Sequence, residues 1–363
     1  MIPQKVPLWV NFLQHFSEIF AKSLQQVVKT PRGFLFHGIK QKSPHKRSER
    51  GLNTKTLLCL YLLAGLGLLL FGLRLLQSGL VGFSGQRFKF VFHSLSANPA
   101  RAALTGLAAS ALTQSSTAVS VITTGLTHSR ILNLEQAIAV ILGANVGTTL
   151  TVQFLALNPG SLAVPLCLAG VLLAAVRPAF RALGSILTGS GLIFWGLDIL
   201  NLRIGSLQEI PWFAAVLAAA SKNPLLAIGT ATILTALIHS SAVTTGITMT
   251  LYNQNVVDLQ TAVALVLGNN IGTCCTAIIV SLTSSVAGRR VAVAHLLVNV
   301  LGALIFLPFL NPFSNLVAAS TARPTQQVAN AHILYNVISS LALFPLCNHL
   351  ARLLQRLMPD RTL

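Results

Sequence analysis

A chain of 363 residues that is 53% apolar and only 9% charged is not an ordinary soluble domain, in which roughly a quarter of residues carry charge. Its 25 Lys and Arg against 7 Asp and Glu give a net charge of +18, a balance that in a soluble protein would point to nucleic acid. Here ten of the basic residues lie in the first 55 positions and most others flank apolar windows, so the charge is read as orienting helices and touching anionic lipid, with no nucleic-acid partner.

Uncharged windows run from Ala102 to Ser129, Gln136 to Val176, Asn223 to Val257, Leu259 to Gly288, Val291 to Ala322 and Pro324 to Ala351. Each exceeds the ~20 residues of a spanning helix. The fold class expected is an all-α polytopic membrane protein embedded in the lipid bilayer.

Residues 1–53 read as a basic N-terminal segment, cytoplasmic or interfacial. Leu8, Val10, Phe12, Leu13, Phe16, Ile19 and Phe20 suit an amphipathic helix on the membrane surface. The segment lacks a leading basic region and a continuous apolar run, so no cleaved signal is expected. Residues 54–178 offer helices near 54–77, 134–157 and 161–176 around a polar region at 98–128. Residues 179–310 offer helices near 182–201, 259–282 and 290–310 around a similar region at 223–252. Residues 311–363 supply a last helix near 328–351 and a short basic tail.

The two units are copies. Residues 98–151 match 223–276 at a constant offset of 125 without a gap, with 20 of 54 positions identical. Helical patterning alone would repeat Leu and Ala, whereas the shared residues include Asn98-Pro99 with Asn223-Pro224 and Ser115-Ser116 with Ser240-Ser241. FGLRLL at 71–76 pairs with WGLDIL at 195–200. If the Asn-Pro regions enter and leave on one side, each unit crosses three times. That odd count makes these inverted-topology repeats, an architecture that places a transporter's site at the midplane.

Each Asn-Pro pair suits a helix start, and Pro99 to Thr113 spans only about 22 Å of helix, short of the ~30 Å hydrocarbon core. The polar cluster TQSST then falls at membrane depth, where hydroxyls can satisfy a broken backbone. A re-entrant helical hairpin with its tip at Gln114–Thr117, and another at His239–Ala242, is therefore expected. The alternative is one long tilted helix whose Ser and Thr bond neighbouring helices.

A tip inside the bilayer points helix N-terminal N–H groups at the protein interior, a site for an anion. Gln114, Ser115, Ser116 and Thr117, with His239, Ser240 and Ser241, add donors suited to an oxyanion and lone pairs suited to a hard cation such as sodium. The paired segments GANVGTT (143–149) and GNNIGTC (268–274) place Asn145, Thr148, Asn270 and Thr273 beside glycines. Two glycines in an apolar helix suit a broken helix that exposes carbonyls to a cation; a close helix packing surface is the alternative. AHLLVNV (294–300) and AHILYNV (331–337) put His295 with Asn299, and His332 with Asn336, on one face each, as interhelical bonds or part of a substrate path. The five cysteines lack metal-ligand spacing and read as helix filler.

The doubled TQSST and IHSSA, each followed by GANVGTT or GNNIGTC, resemble the signature of the type II sodium/phosphate cotransporter family, over about residues 55–350. The resemblance implies sodium-coupled symport of inorganic phosphate across the cell membrane, sodium as the coupling ion, no resident cofactor and no catalysis. It implies as binding residues Gln114 through Thr117 and His239 through Ser241. Thr117 and Ala242 stand where the family has a third serine, and His239 where it has a second glutamine. A carrier of another oxyanion, a proton-coupled carrier, and a channel or scaffold are the alternatives.

Overall fold

The computed structural model describes residues 54–84 and 98–359. The expected surface helix at residues 8–20 lies outside them. Among the described residues every regular element is helical. In chain order these are α1 (Thr54–Ser84), α2 (Pro99–Thr113), α3 (Ser116–His128), α4 (Leu134–Leu157), α5 (Ala163–Val176), α6 (Arg181–Arg203) and α7 (Pro211–Lys222). There follow α8 (Pro224–Ile238), α9 (Ser241–Asn253), α10 (Leu259–Ser281), α11 (Val286–Phe306), α12 (Leu310–Ser320), α13 (Pro324–Leu343) and α14 (Cys347–Leu357). Helix α7 was not anticipated from sequence.

Repeat-related helices begin on the same side-chain chemistry. The Asn98 side chain accepts from the Ala100 N–H at 2.8 Å and Asn223 from that of Leu225 at 2.9 Å, each ahead of a proline in the first turn. Asn133 opens α4 with a capping box to Gln136, and Asp258 opens α10 by accepting from the Thr261 N–H.

The polar regions break where the sequence places the tips. Gln114 (φ 53°, ψ 31°) and His239 (φ 59°, ψ 26°) are left-handed, and each is followed by an extended serine that starts a new helix. Thr235 Oγ1 and Thr244 Oγ1 lie 2.8 Å apart across the second break. Nine residues of straight helix would separate them by about 13 Å along the axis, so the chain folds back sharply. One long tilted helix does not form.

The glycine-rich segments correct an expectation. Helices α4 and α10 run unbroken through GANVGTT and GNNIGTC. A Cβ on Gly143 would collide with the Ala103 carbonyl, one on Gly147 with that of Leu107, one on Gly268 with that of Ile228 and one on Gly272 with that of Thr232. These positions match at the repeat offset, and they press α2 onto α4 and α8 onto α10. The glycines permit close backbone approach, the packing use of small residues in membrane helices. The carbonyls stay within the helix and take side-chain bonds as well: Thr148 Oγ1 donates to Ala144 O at 2.8 Å and Thr273 Oγ1 to Asn270 O at 2.6 Å. They are not free cation ligands.

The lead helices of the two units, α1 and α6, also meet backbone to backbone. Gly65 faces Gly196, Gly72 faces Gly189 and Gly79 faces Ala182. One register rises while the other falls, so the pair is antiparallel. Helix α5 packs antiparallel on α6 in the same manner, Gly170 against Thr188 and Gly184 against Ala174.

Among the described residues six helical segments are long and apolar enough to span a bilayer: 56–84, 134–157, 178–209, 259–281, 286–320 and 324–357. The protein is a multi-pass membrane protein. The seventh expected crossing, at 161–176, is the shorter apolar segment Gly160–Val176, about 25 Å long at 1.5 Å per residue. One core cluster joins α1, α6 and α9 through Leu69, Leu73, Ile193, Leu197, Val243 and Met249. Helix α14 is docked through Cys347, Leu350 and Leu354, and the Arg290 Nε–H donates to the Met358 carbonyl at 2.9 Å. The five cysteines are unbridged helix residues, as the sequence suggested.

Candidate functional site

Both tips open onto one cavity of about 160 Å³. Gln114, Ser115, Ser116 and Thr117 line it from the first repeat, and His239, Ser240, Ser241 and Ala242 from the second. Segments 125 residues apart therefore share a single chamber. Thr148 of α4 also reaches it, whereas Asn145, Asn270 and Thr273 do not.

Each tip is held by the same local bonds. Ser115 Oγ accepts from the Ala118 N–H at 3.1 Å and Ser240 Oγ from the Val243 N–H at 3.4 Å. These are N-caps, and they leave the hydroxyl hydrogens of both serines to donate elsewhere. The Ser116 and Thr117 N–H groups open α3, those of Ser241 and Ala242 open α9, and a helix provides no internal acceptor for its first N–H groups. Two positive helix ends thus converge on the cavity, each contributing roughly half a unit charge. Behind the tips, Thr151 Oγ1 donates to Gln114 Oε1 at 2.5 Å, and Thr276 Oγ1 lies 2.8 Å from His239 Nδ1.

Helix α1 forms a third wall with Leu70, Leu73, Arg74 and Gln77. The Gln77 amide donates to the Gln114 carbonyl at 3.2 Å, tying α1 to the first tip. Among the described lining residues Arg74 is the only Lys or Arg, and none is a carboxylate. Sequence reasoning missed both residues. The available signal was a charged side chain inside an apolar helix, which in a bilayer marks function by default. The reading ended that helix near 77, which left Arg74 looking like a flanking charge; the helix continues to Ser84.

The remaining candidates make bonds within and between helices. The Asn145 amide donates to Asn299 Oδ1 at 3.2 Å, joining α4 to α11. The Asn270 amide turns back to its own helix at Val266 O. Ser120 Oγ and His295 Nδ1 pair at 3.1 Å, the interhelical use expected of that histidine. No group of three or more His, Cys, Asp or Glu among the described residues could hold a metal ion.

Among its described lining residues the chamber gathers two helix N-termini, four serine hydroxyls, one guanidinium and no carboxylate, a donor set that suits a small oxyanion. The family described as Na+/Pi-cotransporter matches residues 68–201 and 210–319, so the match takes in both repeat-related tips. The chain is 32% identical over 257 residues to "Uncharacterized protein YqeW" of Bacillus subtilis, covering 70% of this chain and 84% of that protein. It is 28% identical over 260 residues to "Putative inorganic phosphate export protein YjbB" of Salmonella typhimurium, covering 71% of this chain and 48% of that protein. It is likewise 28% identical over 254 residues to the protein of the same name from Escherichia coli K12. The chain spans about half the length of these two export proteins. No solved structure matches.

Proposed function

The chain belongs to the Na+/Pi-cotransporter family, and on that premise we propose that it is a sodium-coupled symporter of inorganic phosphate in the cell membrane, with the two-tip cavity as its phosphate site. The observation that carries this reading is the convergence of Ser115–Thr117 and Ser240–Ser241 with Arg74 on one chamber that no carboxylate among the described residues lines. Phosphate presents tetrahedral acceptor oxygens to the free N–H groups and hydroxyls, while the guanidinium offers two parallel donors. Seryl lone pairs not engaged by phosphate are oxygen ligands for sodium. In this reading Gln114 and His239 shape the tips, Thr148 contributes from α4, and Asn145, Asn270 and Thr273 support the helices behind.

The repeats are units 54–178 and 179–310, followed by the 311–363 element, and we read them as inverted, with the tips as re-entrant hairpins. The glycine contacts of α1 and α6 support this. Gly72 and Gly65 correspond to Gly196 and Gly189 in the second unit, and Gly65 meets Gly196 while Gly72 meets Gly189. Such reciprocal pairing is the mark of a two-fold axis, and an axis relating two antiparallel spanning helices lies in the membrane plane. An antiparallel α6 also requires α5 to cross, despite its shortness.

The relatives named for phosphate export favour a specific point about direction. A symporter is reversible, so an outward phosphate gradient drives the same cycle outward. Arsenate shares the tetrahedral oxyanion geometry and is the discriminating probe: it should compete with phosphate for uptake, and arsenate without effect would remove the oxyanion site.

A further inference from the structure

A second polar cluster lies on α13, outside the two-tip cavity. His332 and Asn336 are each 1% exposed, and both imidazole nitrogens of His332 and Oδ1 of Asn336 lack any partner. The two residues are four apart and share one face of the helix. Buried polar atoms are almost always satisfied, so three open ones within one turn point to a guest.

The protein contains its own control. AHILYNV on α13 repeats AHLLVNV on α11. Helix α11 packs on α3, α4 and α10, and α13 packs on α9, α10 and α4, so the two exchange partners as the repeats exchange. On α11 the same pair is engaged: His295 Nδ1 bonds Ser120 Oγ, and Asn299 Oδ1 accepts from Asn145. Only Nε2 of His295 is left open. In the second repeat the residue corresponding to Ser120 is Thr245, and Asn269 donates to its hydroxyl at 3.2 Å. Asn269 replaces Ala144 of the first repeat. Asn270, the counterpart of Asn145, gives its amide to Val266 O. Thr245 thus meets Asn269 where Ser120 meets a histidine, and the Asn270 amide turns to its own helix, while the Asn336 carbonyl stays bare.

We propose that Asn336 binds a coupling sodium ion through its side-chain carbonyl oxygen, with the neutral imidazole of His332 holding water that completes the ion's oxygen shell. This rests on the sodium-coupled reading above. The open set is rich in acceptors, with the carbonyl's two lone pairs and one imidazole lone pair against a single N–H. No group of three or more His, Cys, Asp or Glu among the described residues could hold a metal ion, and neutral oxygen ligands suit a monovalent hard cation.

The test is the melting temperature of the purified full chain titrated with sodium chloride, choline chloride holding the ionic strength. An ion that binds only the folded protein raises that temperature by mass action. Asn336→Ala should raise the half-saturating sodium concentration by about tenfold, the scale of removing a supporting or direct ligand. Asn269→Ala frees the Thr245 hydroxyl for His332, rebuilding the arrangement of the first repeat, and should weaken sodium in the same direction; it carries the test if Asn336→Ala does not fold. Sodium-stabilised wild type with unchanged half-saturation in the variants overturns this site, leaves water as its guest, and spares the sodium-coupled reading. Wild type that sodium neither stabilises nor drives overturns both.

Discussion

Gln114 and His239 occupy the same left-handed position 125 residues apart, and each side chain is clipped to a threonine 37 residues further on, Thr151 at 2.5 Å and Thr276 at 2.8 Å. An amide and an imidazole are interchangeable here because each can pair with a threonine hydroxyl, which both donates and accepts. His239→Gln should therefore preserve the tip and retain phosphate transport. Thr276→Val deletes the partner and leaves the tip to its Ser240 cap and the Thr235–Thr244 pair, at a cost of about 1 kcal/mol for the lost bond. Transport rates of the two variants at matched expression check this; equal loss in both would show that the imidazole itself is required.

Arg74 should carry much of the phosphate affinity. Hydrogen bonds to charged groups contribute about 1.5–3 kcal/mol, so Arg74→Gln should raise the KM for phosphate by roughly 10- to 100-fold at that energy. Arg74→Lys keeps the charge but not the planar fork, and should fall between. An unchanged KM in Arg74→Gln would take α1 out of the site.

Much of this was legible in the sequence, and the failures have physical causes. The tips could be read because Asn-Pro and Gln-Ser-Ser state backbone chemistry directly: a cap, a first-turn proline, and polar groups at a depth where they need a reason. The glycine motifs misled because Gly143 with Gly147, and Gly268 with Gly272, are spaced four apart. That spacing serves equally to open a helix and to seat a neighbouring backbone, and only the facing carbonyls of Ala103 and Ile228 decide between them. The asymmetry between His295 and His332 could not be read from two nearly identical heptapeptides. It depends on where Asn269 points, which is a tertiary fact.

The packing role of the glycines has its own consequence. Gly143→Val and Gly268→Val force side chains into the Ala103 and Ile228 carbonyls, and overpacking of this kind costs about 1–3 kcal/mol or more. Both should lower the yield and melting temperature of the protein without a selective loss of sodium affinity. A stable variant that has lost only sodium affinity would restore the carbonyls as ligands.

Inversion of the repeats can be read by accessibility. Ser129 and Gln254 are equivalent, exposed residues at the ends of α3 and α9. Single cysteines there, in a background without the five native ones, should label from opposite faces of sealed vesicles. Labelling from the same face would make the repeats parallel.

The most direct measurement is uptake of radiolabelled phosphate by the purified chain in liposomes, with an inward sodium gradient or with choline in its place. The account predicts saturable uptake that collapses in choline and falls by about tenfold or more in both Ser115→Ala and Ser240→Ala, since each removes a cap and a hydroxyl from one shared chamber. Uptake indifferent to sodium, or normal in either serine variant, would contradict it.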